Sequence, residues 1–329
     1  MRSLIIGAAG FVGAYLARHL KQEYGYEVIV TKMGHEKINA LEMDICDANI
    51  YDLDILDQRT VEHLLKTVCP DYIFHLAAQS SVAVSWKNPQ LTVDVNIRGA
   101  VNILEALRSL HDQPRVLFVG SGEEYGYVQP DEIPIIENNR ICPGNIYAAT
   151  KACQNMLGRI YAQAYGLEIV MVRAFNHIGP NQDPLFVVAD FCRQVAQIEE
   201  RMKEPVICVG NLEVRRDLTD VRDVVRAYAM LAEYGKAGET YNVGSGKAVK
   251  IRDILQSVLR KSKVDIKLVV DREKLRPVDL PIIEADIHKL QEITGWRPNI
   301  GLEQTIEETL EYWRVHVHNA NPNMIIHDK

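Results

Sequence analysis

Tyr147 and Lys151 stand four positions apart in the run Tyr147-Ala148-Ala149-Thr150-Lys151. On a helix, that spacing puts a phenol and an ammonium on one face. A free tyrosine titrates near pH ~10. A neighbouring cation favours the phenolate and lowers that value. Such a pair can give or take a proton at an oxygen while hydride moves at the carbon that carries it. Ser121, expected at the end of a strand, adds a hydroxyl that can orient the same oxygen. Hydride needs a carrier, and Gly7-Ala8-Ala9-Gly10-Phe11-Val12-Gly13 follows the first apolar run. Glycines there permit a tight turn, a close approach of backbone N–H groups to a pyrophosphate, and tight helix–strand packing. The helix start adds a favourable dipole for anions.

Each of these short motifs also recurs by chance, so their weight depends on the elements that carry them. Leu4-Ile5-Ile6, Val28-Ile29-Val30-Thr31, Leu41-Glu42-Met43-Asp44, Tyr72 to Leu76, Val116 to Val119 and Glu168 to Val172 read as strands. Most are continuous apolar runs, as in a parallel sheet covered on both faces. Helical spacing lies between them: after the glycine turn through Leu16 and Leu20, and again at Ile97, Ala100, Val101, Leu104, Leu107 and Leu110. The alternation predicts an α/β protein with a Rossmann-like doubly wound parallel sheet and a smaller α/β substrate-binding lobe. The expected nucleotide domain spans residues 1–175 plus about 205–245; the lobe takes 176–204 and 246–329. Past residue 175, Asn176 to Pro184 reads as a loop, and helices are expected near 187–203, 220–234 and 251–260. Val206 to Gly210 reads as a strand, and Asn319 to Lys329 as a loose tail.

The end of the second strand tests the cofactor. NAD-binding folds place an acidic residue there for the ribose hydroxyls. This chain has Thr31-Lys32-Met33, with Lys37 nearby. A lysine suits a 2′-phosphate, so NADP(H) is favoured over NAD(H); a solvated surface lysine is the plainer alternative. Asp44-Ile45 is expected to face the adenine. Phe11, Val12, Thr31, Leu76, Ala77, Ala78 and Asn96 complete the expected cofactor-contacting set.

Bulk properties narrow the class. With 329 residues, 47% of them hydrophobic, the chain can bury a large core. Its net charge of −7 makes it a poor partner for nucleic acid or anionic membranes. The six cysteines include no Cys-x-x-Cys pair, which reads as reduced thiols in a cytoplasmic protein without a structural metal. The first apolar run breaks at the glycines, unlike a signal peptide. No stretch has the length of a membrane span.

Over nearly its whole length the chain resembles the extended short-chain dehydrogenase/reductases. The resemblance rests on the Gly7-x-x-Gly10-x-x-Gly13 turn and on His75-Leu76-Ala77-Ala78-Gln79-Ser80-Ser81-Val82. It rests equally on Ser121-Gly122-Glu123-Glu124-Tyr125-Gly126 and Tyr147-x-x-x-Lys151. Two longer segments, Arg173 to Pro180 and Val209 to Asp223, look like the branch that holds the GDP-mannose 4,6-dehydratases and the GDP-4-dehydro-6-deoxymannose reductases. The resemblance implies a GDP-sugar substrate, with Asn176, Arg216, Arg276 and Asp279 on the GDP and Ser81 on the hexose. It also implies a homodimer in which the helices near 97–110 and 147–161 pair with their copies as a four-helix bundle.

Reduction at C4 of GDP-4-dehydro-6-deoxy-D-mannose, giving GDP-D-rhamnose, is the leading expectation. Tyr147 and Ser121 would act on the ketone oxygen, and Lys151 would hold ribose and lower the phenol pKa. Glu123 stands where the dehydratases keep the carboxylate that moves protons at C5 and C6, so a dehydratase with tightly held NADP remains open. Ser121, where the dehydratases usually have threonine, and the Ile178-Gly179-Pro180 loop favour the reductase. A non-catalytic nucleotide sensor would be expected to lose Tyr147 or Lys151, and both are present. A UDP-sugar 4-epimerase would be expected to carry an acidic residue near 31–33.

Overall fold

The computed structural model describes residues 1–38, 49–274 and 280–320. Seven strands form one parallel sheet: β1 Arg2–Ile6, β2 Glu27–Lys32, β3 Ile50–Asp52, β4 Tyr72–His75, β5 Arg115–Ser121, β6 Ile169–Ala174 and, later in the chain, β10 Thr240–Val243. Their spatial order is β3-β2-β1-β4-β5-β6-β10. The chain winds outward from β1 in one direction, then returns to its other side at β4. That switch point is where an open parallel sheet leaves a crevice beyond its strand ends.

Side chains alternate faces along a strand, and β1 shows the consequence. Ile5 packs with Leu16, Leu20 and Tyr228, whereas Leu4 and Ile6 pack with Val61, Leu104 and Met171. Helices Phe11–Tyr24 and Val221–Tyr234 cover the first face. Gln58–Val68 and Gly99–Arg108 cover the second, with Ile146–Tyr165 packed beside them.

The smaller lobe holds the remaining strands. β9 Arg215–Asp220 pairs with β7 Asn176–Ile178, β11 Ala248–Lys250 and β13 Ile282–Ile283. β8 Val206–Val209 and β12 Lys267–Val270 make a separate parallel pair. Helices Val187–Glu199, Ile251–Arg260 and Leu302–Asn319 pack around a third core containing Phe191, Ile254 and Leu310.

Several expectations need correction. The strand expected at 41–44 lies outside the described residues, and the edge beside β2 is formed by β3 at 50–52. Residues 206–220, grouped by sequence with the nucleotide domain, pair outside the seven-stranded sheet. A short apolar run signals a strand but not its partner. The helix expected through 97–110 begins as a π-helical turn at Asp94–Arg98 before Gly99–Arg108. The 176–184 loop contains the short strand β7. Residues 321–329 of the expected tail lie outside the described residues, whereas Asn319 ends a helix.

Candidate active site

A cleft of about 2150 Å³ opens over the carboxyl ends of β1, β4, β5 and β6 and runs into the smaller lobe. One small ligand fills roughly 300–1,000 Å³, so the cleft has room for a dinucleotide and a second molecule together.

The glycine turn lines one end. Gly7 has φ +86°, and a Cβ there would lie 2.5 Å from the Ala77 Cα. A Cβ on Gly13 would lie 2.2 Å from the Ala8 carbonyl oxygen. The fold itself therefore requires these two glycines. Gly10 differs: the nearest atom to its Cβ would be the Gly7 oxygen at 3.7 Å. It begins the Phe11–Tyr24 helix with a negative φ of −74°. The protein alone does not demand a glycine there, whereas a pyrophosphate lying on the helix start does. A dinucleotide thus fits this turn.

Thr31 is buried and braces the turn, its Oγ1 accepting from the Gly7 N–H at 3.1 Å. Lys32 lines the cleft, but its ammonium already donates to Asp52 at 2.6 Å. Asp44 and Ile45 lie outside the described residues. Among the described residues, Leu53, Asp54, Ile55 and Leu56 line the wall beyond β3. The signal for that segment was present in the sequence. Asp57 caps the Gln58–Val68 helix, whose apolar Val61, Leu64, Leu65 and Val68 share one face, and a strand should end just upstream.

At the other end, Ser121 closes β5 and caps the turn Gly122–Tyr125. Its Oγ accepts from the Glu123 N–H at 3.2 Å. Its own N–H donates at 2.9 Å to Glu124, a fully buried carboxylate that also accepts from Arg173 Nε at 2.8 Å. Gly120 makes room for that carboxylate, since a Cβ there would lie 2.2 Å from Glu124 Oε1. Asn145 caps the helix that carries Tyr147 and Lys151, accepting from the Ala148 N–H at 2.8 Å. Its amide also donates to Glu123 at 3.2 Å. Glu123 is thereby tied to the helix start beside Tyr147, and both line the cleft.

The electrostatics depart from expectation. Burial pushes the Tyr147 phenol above its ordinary value; a hydrogen bond with Ser121 pulls it down, and Glu123 and Glu124 push it up. The Lys151 ammonium donates to the Val119 carbonyl at 2.8 Å and to Gln154 Oε1 at 3.1 Å. Burial lowers its own pKa to about 8, opposed by Glu124. The shared helix face is as expected. The lowering of the phenol pKa by Lys151 is not what this structure shows, because the ammonium is engaged on the strand beneath. Tyr147 is a neutral phenol at ordinary pH, the form that can donate a proton.

Leu76, Ala77, Ala78, Phe11, Val12, Ser81, Asn176 and Arg216 all line the cleft. Ser81 also caps the helix Val82–Lys87. Asn96 does not line it. It is fully buried and acts as a clamp: its Oδ1 accepts from the Gln79 N–H at 2.8 Å, and its Nδ2 donates to Thr150 Oγ1 at 2.9 Å. Arg216 Nη1 donates to the carbonyls of Arg215 and Leu280 at 2.9 and 2.7 Å. Arg276 and Asp279 lie outside the described residues. Cleft residues that the sequence did not disclose include Arg193, and Lys274, whose ammonium bonds Asp190 at 2.7 Å. The Lys274–Asp190 pair joins residues 84 positions apart, too far to be read from the chain.

The sequence and the fold match known proteins. The family model of GDP-mannose 4,6 dehydratase matches residues 4–309. A GDP-6-deoxy-D-mannose reductase of Pseudomonas aeruginosa is 30% identical over 316 residues, 96% of this chain and 98% of the relative. A GDP-mannose 4,6-dehydratase of Yersinia enterocolitica is 27% identical, covering 93% of this chain and 92% of its own. Among solved structures, RMD from Pseudomonas aeruginosa complexed with NADPH superposes with a TM-score of 0.84 at 30% identity, over 96% of this chain and 99% of that one. A Thermus thermophilus UDP-glucose 4-epimerase complexed with NAD gives 0.83 at 30% identity, over 95% and 99%.

Proposed function

The chain belongs to the GDP-mannose 4,6-dehydratase family of extended short-chain dehydrogenase/reductases, and from that premise we propose that it reduces the C4 ketone of GDP-4-dehydro-6-deoxy-D-mannose to GDP-D-rhamnose. The observation that carries the reading is the convergence of Ser121, Tyr147 and Lys151 on the wall of one cleft that also holds the glycine turn.

A bound NADPH supplies the hydride. The residues supply the rest. Gly7, Gly10 and Gly13 let the helix start meet the pyrophosphate. Ser121 Oγ orients the ketone oxygen. Tyr147 donates its proton to that oxygen as the carbon gains hydride, so the ketone becomes an alcohol and the phenolate is left to be reprotonated. Lys151, on the same cleft wall one helical turn from Tyr147, holds the ribose. Arg216, Arg193 and Lys274 provide cations for the diphosphate on the lobe side, with Asn176 nearby and Ser81 at the hexose. Arg276 and Asp279 belong to the same proposed subsite. Lys32 reads the 2′-phosphate in competition with Asp52, which is the basis for preferring NADP(H).

Glu123 supports a second reading, a GDP-mannose 4,6-dehydratase, because its carboxylate lies on the cleft wall and is held by Asn145. The two reactions differ in redox balance. Reduction consumes one NADPH per sugar; dehydration consumes none. Following NADPH absorbance with each GDP-sugar decides between them. Stoichiometric oxidation with the keto sugar supports the reductase. Conversion of GDP-mannose without added NADPH overturns it.

The proposed division keeps residues up to 175 and 221–243 with the nucleotide domain and assigns the 206–220 strands to the lobe. We also propose a homodimer through the Ile146–Tyr165 helix, where Met156 and Ile160 are 56% and 53% exposed. Leu104 and Leu107, expected on that face, are buried in the protomer's own core and are not available to it. No helix among the described residues is long and apolar enough to cross a membrane. The cytoplasmic setting rests on the free thiols of the described cysteines and on the GDP-sugar reading.

A further inference from the structure

Four buried side-chain polar atoms without a hydrogen-bond partner among the described residues belong to residues that line the cleft: Gln182 Oε1, Arg193 Nε, Trp313 Nε1 and the Tyr228 hydroxyl. Gln182, Arg193 and Trp313 follow β6 into the smaller lobe or lie on its helices. Tyr228 does not. It sits on Val221–Tyr234, beside the Phe11–Tyr24 helix on one face of the large sheet, and it is 0% exposed. A buried hydroxyl with no partner is costly, and native proteins rarely keep one without a use.

Packing places this hydroxyl at the reacting end of the cleft. The Val221–Tyr234 helix packs against β5, the strand that Ser121 closes, and against β7, which follows β6. Tyr147 is close enough for its phenol to raise that of Tyr228 further, on top of burial. A dinucleotide whose pyrophosphate lies on the Phe11–Tyr24 helix start, and whose other end reaches Tyr147, carries its nicotinamide ring into this corner.

We propose that the Tyr228 hydroxyl is the hydrogen-bond partner of the carboxamide group of the nicotinamide ring. The carboxamide offers both a donor and an acceptor, and a phenol can complement either. The hexose wall has polar groups of its own, Ser81, Glu123 and Asn145, so the substrate does not need Tyr228. A bond at the carboxamide limits rotation of the ring about its link to ribose, and so fixes which ring face meets the substrate. The inference rests on the nicotinamide-cofactor reading above.

Tyr228→Phe removes one oxygen that bonds nothing in the ligand-free protein. The test measures binding, not turnover. Calorimetric titration compares parent and variant with NADPH and with 2′-phospho-ADP-ribose, which lacks the ring. The expected result is NADPH affinity lowered about three- to tenfold, the worth of one such hydrogen bond. Affinity for 2′-phospho-ADP-ribose should stay at the parent value, and the ligand-free melting temperature should hold or rise. Equal NADPH affinity in both proteins overturns the proposal. So does an equal loss for both ligands, and so does a fall in the ligand-free melting temperature, since the hydroxyl would then have a structural partner. A parent protein that binds neither NADPH nor NADH overturns the cofactor reading, and this proposal with it; a parent that binds while the variant binds equally overturns this proposal alone.

Discussion

Gly10→Ala and Gly13→Ala place the same methyl group three positions apart in one turn, and the structure gives them opposite consequences. At Gly13 the new Cβ would lie 2.2 Å from the Ala8 carbonyl oxygen and 2.5 Å from its Cα. Both are backbone atoms, so no rotamer change relieves the clash, and the helix must shift from the strand. Overpacking of this kind costs about 1–3 kcal/mol, and the backbone contact argues for the upper end. At roughly 2.1 cal/mol/K per residue, 329 residues give about 1.5 °C of Tm per kcal/mol, so Tm should fall by about 3–5 °C. At Gly10 the nearest contact is 3.7 Å and φ is already negative. Replacing the glycine cap by alanine costs roughly 0.5–1 kcal/mol, and a stiffer unfolded chain returns about 0.4–1 kcal/mol. The ligand-free protein should therefore melt within about 2 °C of the parent. Its methyl, however, stands where a pyrophosphate meets the helix start, and NADPH affinity should fall at least about tenfold, ~1.4 kcal/mol. Scanning calorimetry with and without NADPH reads both quantities. A Gly10→Ala protein with parent stability and parent NADPH affinity would refute the phosphate-binding assignment.

At the catalytic end, Tyr147→Phe should lower ketone reduction by about 10²–10⁴-fold with NADPH binding kept, the usual weight of general acid catalysis; near-normal turnover would remove Tyr147 from the mechanism. Because Asp52 holds Lys32, Asp52→Asn should sharpen the preference for NADPH over NADH by about three- to tenfold and Lys32→Gln should erode it; identical Kd ratios in both variants would make Lys32 a surface residue. Burial brings Lys151 from 10.5 to about 8, so across that window the unfolded chain holds a proton that the native protein has released. Native stability should therefore rise with pH there relative to Lys151→Met, and a constant difference in denaturation midpoints between pH 8 and pH 10 would refute the lowered ammonium. Ile160→Glu should convert a dimer to a monomer by light scattering; an unchanged mass would place the interface elsewhere.

Where a strand is a continuous apolar run, its composition alone was enough to find it; Thr240–Val243, buried throughout but half polar, was missed. β1, β2, β4, β5 and β6 hold continuous runs, and all were legible. β3 was not. Ile50-Tyr51-Asp52 is short, lies at the sheet edge, and is half exposed, so nothing in its composition separates it from Leu41-Glu42-Met43-Asp44. The better signal was the capped amphipathic helix that follows at Gln58. The helix Leu302–Asn319 was missed for a related reason. Ile306, Leu310 and Val317 are its buried apolar positions, a thin stripe on an otherwise polar segment. β8 was recognised as a strand but grouped with the nucleotide domain, because its pairing with Lys267–Val270 depends on residues about sixty positions away.

The same division runs through the site. Gly7, Gly10, Gly13, Ser121, Tyr147 and Lys151 all line the cleft, and residue type and spacing alone were enough to propose them. Their partners could not be proposed that way. Asp52 neutralises Lys32 from another strand. Asn96, expected against the cofactor, spends its amide on Gln79 and Thr150, a use that only the packed structure reveals. Lys151 is the sharpest case, because one of its acceptors is the Val119 carbonyl. Every residue has a carbonyl, so the identity of residue 119 says nothing about that bond. The four-residue spacing guarantees a shared helix face for phenol and ammonium. It does not say whether the ammonium points along that face or down to the strand below, nor that burial pushes the Tyr147 phenol up.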